Sequence, residues 1–197
     1  YFELNAVQAE NTGYNVTTSL GLPLSLYLKA SLNDKEINLN GDVYQKSGSV
    51  VSIGTHVSIA DLLKNVTKDG FSFNFARFMD FYAEAGANKW ELEDTLGKTE
   101  EGTDAYLQGG IRLGDSDGWE LSLYMENTKV AEVDTYEVCP IGGVCYTDVD
   151  YTLSEETDST MGVKFVNNFR ENMSFSVNLD NNDSAGSTAS LGIRFRL

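Results

Sequence analysis

Chemistry in this chain would have to start from His56, its one histidine. The residue sits in Gly54-Thr55-His56-Val57-Ser58. On a β-strand, a spacing of two puts His56 and Ser58 on one face and within reach of each other. With a carboxylate to orient the imidazole, Ser58 would be a nucleophile and His56 its base. The same period gathers Val51, Ile53, Thr55, Val57 and Ile59 on the opposite, apolar face. A hydrogen-bonded histidine on the polar side of a strand is the plainer expectation. Metal chemistry has less to work with, since one histidine and two cysteines are too few soft ligands for a zinc site. Asp115-x-Asp117-Gly118-x-Glu120 and Asp180-x-Asn182-x-Ser184 have the look of calcium loops. Neither fits the full twelve-residue pattern, and the turn chemistry of Asp, Asn and Gly accounts for both. The sequence therefore assigns no catalytic, cofactor or metal residue, and the chain is expected not to be an enzyme.

The two cysteines lie close together in Cys139-Pro-Ile-Gly-Gly-Val-Cys145. That spacing is not a redox Cys-x-x-Cys, and a disulfide closing a small loop is expected, in an oxidising compartment. A formal net charge of -16 leaves no basic footprint for phosphates, so nucleic acid is not an expected partner. No run approaches the roughly 18 consecutive apolar residues of a membrane helix. A barrel is a different matter, because each of its strands needs only every second residue to be apolar. No signal peptide is visible at Tyr1, so an exported protein would be seen here in its mature form.

The elements that must position these residues are written in a period of two. Val16, Thr18, Leu20, Leu22, Leu24, Leu26, Leu28, Ala30 and Leu32 share one parity, and Ser19, Tyr27, Lys29 and Ser31 the other. Trp119, Leu121, Leu123 and Met125 alternate with Glu120, Ser122, Tyr124 and Glu126. Met161 to Phe165, Met173 to Leu179 and Ala189 to Leu197 repeat the pattern. The reading gives strands at 1–9, 14–32, 36–46, 49–59, 71–86, 104–114, 118–128, 159–168, 172–181 and 187–197, with Pro23 at a bend. A brief helix is expected at 59–69. Arg77 falls on the apolar parity of its segment, which calls for a bulge or an interfacial position. Tight turns at 114–118 and 167–171 contrast with long acidic loops at 88–103 and 128–157. Short turns on one side and long loops on the other suit an outer-membrane barrel. The fold class expected is all-β: a closed antiparallel transmembrane β-barrel of about ten strands, forming one domain over 1–197. The ambiguous turns within 1–46 leave eight or twelve strands open.

Alternation alone does not say which face points inward, since a soluble barrel hides its apolar parity and a membrane barrel shows it to lipid. The polar parity holds pairable charges: Lys29, Glu84, Arg112, Glu120, Glu126, Lys164, Arg194 and Arg196. Inside a narrow barrel they would form a salt-bridged lumen. The last strand carries a resemblance as well. Gly192-Ile193-Arg194-Phe195-Arg196-Leu197 resembles the C-terminal insertion signal of outer-membrane barrels, with Gly192, Phe195 and Leu197 at its key positions. Leu197 stands where the signal usually has Phe. In layout the chain is similar to small barrels of the OmpA and omptin types.

The resemblance implies the bacterial outer membrane of a Gram-negative-type cell. It also implies contact with lipid and lipopolysaccharide, and handling by the barrel-assembly machinery. No cofactor is implied. The expected function is a non-catalytic barrel presenting acidic surface loops to a protein partner, or for envelope structure. A narrow porin-like passage is the alternative, and a lipid A-modifying enzyme using His56 and Ser58 the weaker third.

Overall fold

Strict alternation makes each segment a strand with one apolar and one polar face, and ladder pairing satisfies the backbone only when every strand has two neighbours. The chain meets that demand by closing on itself. A computed structural model describes residues 2–8, 12–39, 42–59, 79–93, 97, 99–114, 118–182 and 186–196. Ten strands are present: β1 Phe2–Gln8, β2 Thr12–Gly21, β3 Leu26–Leu39, β4 Asp42–Ser58 and β5 Met79–Glu93, then β6 Thr99–Gly114, β7 Trp119–Val138, β8 Tyr146–Arg170, β9 Met173–Asn182 and β10 Gly186–Phe195. They form one closed antiparallel barrel in the order β1-β10-β9-β8-β7-β6-β5-β4-β3-β2. Closure is made by β1 and β10, from Phe2↔Phe195 to Gln8↔Ala189. The start of β1 and the end of β10 therefore lie at one end of the barrel.

The apolar parity faces outward. Leu20, Leu32, Val51, Ile53, Leu107, Met125, Met161, Leu179 and Leu191 are all exposed, while Glu3, Ser52, Glu84, Glu120, Ser174, Ser176 and Arg194 are buried. A soluble barrel shows the reverse arrangement, so this wall is built to meet lipid. Trp119, Phe169, Phe175 and Phe195 point outward near the end that holds the termini, where a membrane barrel carries an aromatic girdle. On β5 the outward positions run Phe81, Ala83, Ala85, Ala87 and then Lys89, whose amine meets Glu101 at 2.5 Å. That exposed ion pair marks where the apolar band stops at the opposite end.

The strand count matches the sequence reading, but the boundaries within 12–58 do not. The expected strand 14–32 is two strands joined at Leu22-Pro23-Leu24-Ser25, with Leu22 N–H donating to the Leu26 carbonyl at 2.8 Å. Leu24 and Ser25 adopt φ of 63° and 58° there. Leu20↔Leu28 and Thr18↔Ala30 pair across this hairpin, so partners share parity and the alternation runs through the turn without a break. The expected strands 36–46 and 49–59 are instead the end of β3 and the whole of β4. The link between them, 40–41, is Asn-Gly, the pair favoured by two-residue hairpins.

The expected loops 88–103 and 128–157 are largely strand, since β5 runs on to Glu93, β6 begins at Thr99, β7 reaches Val138 and β8 starts at Tyr146. β-branched and tyrosine residues interleaved with the acids keep the backbone extended there. Likewise β8 continues through the expected turn at 167–171, and the turn is Glu171-Asn172. Of the expected helix at 59–69 only Ile59 lies among the described residues, and Arg77 lies outside them.

Candidate functional site

Period two aims one side chain in two at the barrel axis, and in a narrow barrel those from different strands meet across it. The interior keeps a polar cavity of about 630 Å³, lined from β2 round to β10. It extends from Gly21, Tyr27, His56 and Arg112 near the termini to Asp34, Lys46, Asn182 and Thr188 at the other end. Around it the charges fall into three groups.

The first group centres on Glu3, whose side chain is 0% exposed. Its carboxylate takes Lys164 Nζ at 2.5 Å on one oxygen and Arg194 Nε at 3.1 Å on the other. Ser176 Oγ adds a hydrogen bond at 3.0 Å. Arg194 reaches on to Glu120 at 3.5 Å, which also faces Arg196 at 3.5 Å. Asn168 donates to Glu120 and accepts from Ser174 Oγ. This knot ties β1, β7, β8, β9 and β10 together at the end holding the termini.

The second group runs from β3 through β5, β6 and β7 to β9, farther from the termini. Lys29 Nζ meets Glu84 Oε2 at 2.8 Å, and Tyr27 OH donates to the other oxygen at 2.9 Å. Gln108 bridges from Lys29 to Glu126, which also accepts from Tyr106 OH at 3.2 Å. Tyr124 OH donates to Asp180 at 2.5 Å, with Asn178 beside it. Asp180 is the residue of the second calcium-like run, and its oxygens serve the barrel wall. Asp115, Asp117 and Ser184 lie outside the described residues.

The third group is Arg112 with Asp80 at 2.6 Å, close to His56. His56 faces the lumen, its ring 6.5 Å from that of Tyr27. Asp80 pairs in register with Ser58, so it is the carboxylate nearest in the ladder to the His56–Ser58 pair. Arg112 engages it instead.

The structure thus brings Lys29, Glu84 and Glu126 into one cluster and Glu120, Lys164, Arg194 and Arg196 into another, with Arg112 apart. Glu3, Asp80, Tyr124 and Asp180 complete these groups; none of them was among the pairable charges read from sequence, where Asp180 stood only in a calcium-like run. Glu3 could have been found, because Phe2, Leu4 and Ala6 alternate with it in the short strand β1. Of the insertion-signal positions, Gly192 faces inward, Phe195 faces outward and Leu197 lies outside the described residues.

The second feature is an arm. β6 pairs with β7 only from Leu107↔Asn127 to Gly114↔Glu120, and β8 with β9 only from Thr160↔Asn182 downward. Beyond those limits 128–158 pairs with itself, from Thr128↔Asp158 to Val138↔Tyr146, with a bulge where the ladder passes Lys129 and Ala131. Eleven residues of β7 at about 3.3 Å each carry the arm on the order of 35 Å past its last pair with β6. It lies at the end opposite the termini. Cys139 and Cys145 form a disulfide at its tip.

No protein-family model and no curated protein sequence matches the chain. Among solved structures, the NanC porin is similar over 100% of both chains at 8% identity, with a TM-score of 0.50. The KdgM porin is similar over 100% of this chain and 98% of that one, at 8% identity and a TM-score of 0.49. The β domain of the Bordetella autotransporter BrkA covers 100% and 97% at 9% identity, with a TM-score of 0.45. At such identities the likeness concerns the fold, and the first of the three carries it. With an apolar wall facing outward and a salt-bridged interior, the chain is a closed ten-strand barrel whose fold is similar to that of the NanC porin.

Proposed function

We propose that the barrel anchors in the outer membrane and holds its acidic arm out to a partner at the cell surface. The observation that carries this reading is the self-paired hairpin 128–158, which adds nothing to barrel closure and ends in a disulfide. With the termini at the periplasmic side, the even strand count puts the arm outside. An epitope inserted between Gly142 and Gly143 tests it. The expected result is labelling of intact cells. Labelling only after permeabilisation would place the arm in the periplasm and end the surface-contact reading.

A second reading is favoured by the lumen. A polar cavity of about 630 Å³ runs past nine of the ten strands, and the similar structure with a TM-score of 0.50 is named a porin. The ion preference of a narrow passage through it would be set by the charges on its lining, where Asp34, Glu84, Glu120, Glu126 and Asp180 face Lys29, Lys46, Arg112, Lys164 and Arg194. Planar bilayers should show a small conductance whose ion preference Arg112→Glu shifts toward cations. Silent bilayers over a correctly inserted barrel would refute this reading.

A further inference from the structure

We propose that the tip of the arm is a docking knob for a protein surface offering an apolar recess rimmed by lysine and arginine. The proposal rests on the surface-contact reading and names the chemistry of the partner.

Ile141 is 108% and Val144 88% exposed; among the described residues only Leu24, in the β2–β3 turn at the other end of the barrel, matches them at 89%. Lipid accounts for the exposed apolar residues of the wall, but the tip stands on the order of 35 Å along the arm from its last pair with β6 and clears the Glu93↔Thr99 end of the neighbouring hairpin. Apolar side chains offered so far from the bilayer mark an interaction site. The knob is also held in shape. The Cys139–Cys145 bond closes it, with Cα atoms 4.1 Å apart, and Gly143 N–H donates to the Pro140 carbonyl at 3.0 Å. Gly142 supplies a φ of 81°, which a side chain would disfavour. Beneath, Val138↔Tyr146 continues the ladder. A knob fixed before binding loses little freedom on docking.

Charge decides what kind of surface it meets. Along 128–158 there are eight acidic residues and one basic, Lys129. Anionic lipopolysaccharide or phospholipid repels such a stalk. A protein recess with a basic rim attracts it, steering the encounter while Ile141 and Val144 supply the contact.

The test uses the full refolded chain in detergent and a phage-displayed random peptide library as probe. Enriched peptides should combine Lys or Arg with aliphatic or aromatic residues. Their binding should weaken with salt and fall about tenfold or more on I141S/V144S, with heat-modifiability unchanged. If the peptides bind I141S/V144S as well as the parent but lose a variant lacking 130–156, the knob is wrong and the arm stands. If binding survives loss of 130–156, the contact reading falls with it. No enrichment over detergent alone overturns the proposal. So does tip-dependent binding to phosphatidylcholine–phosphatidylglycerol vesicles, which would assign the tip to lipid.

Discussion

Replacing Glu3 with glutamine tests the idea that the barrel is locked from within by one buried carboxylate. In the folded chain Glu3 serves Lys164 at 2.5 Å and Arg194 at 3.1 Å with no exposure of its own. The amide would keep the size and the Ser176 hydrogen bond but leave two cations facing each other. Removing one partner of a buried ion pair costs about 3–5 kcal/mol. The lower end applies, because Arg194 keeps Glu120 at 3.5 Å and Lys164 is 25% exposed to the lumen. About 3 kcal/mol, at a slope of about 2 kcal/mol per molar, moves the urea midpoint down by about 1.5 M. Reversible unfolding in lipid vesicles, followed by tryptophan fluorescence and by the gel shift on boiling, reads it. E3Q/K164M removes a cation along with the anion and should recover more than half of the loss. A midpoint for E3Q within about 0.3 M of the parent, or a double variant as weak as the single, would refute the reasoning.

Leu123→Arg puts a charge on the lipid face and should cost about 2–4 kcal/mol, read as a lower yield of heat-modifiable barrel. Gly86→Ala builds a Cβ 2.0 Å from the Val51 carbonyl oxygen and 2.6 Å from Ser52 Cα, both backbone. It should lose about 1–3 kcal/mol in the same vesicle assay, and parent-like stability would show that the β4–β5 pair yields more easily than its geometry indicates. C139S/C145S should leave the gel shift of the barrel intact while exposing the tip to proteolysis. A lost gel shift would mean the disulfide supports the barrel itself.

The alternation of apolar and polar residues by itself determined an antiparallel all-β chain, the face of each strand and the residues able to pair as charges. It did so because a strand's side-chain period is two whatever surrounds it. The same locality is why the turn at 22–25 was hidden: a hairpin whose partners share parity leaves no mark in the pattern, and Leu22 and Leu24 continue it through the reversal. It is also why 128–157 read as loop, since a run of acids looks alike in a coil and in a free hairpin. Only the tertiary structure decided which face points outward, because that depends on closure. It also decided which charges meet. Glu3 and Lys164 lie 161 positions apart on strands that are not neighbours, and only the curvature of the closed barrel brings them within 2.5 Å.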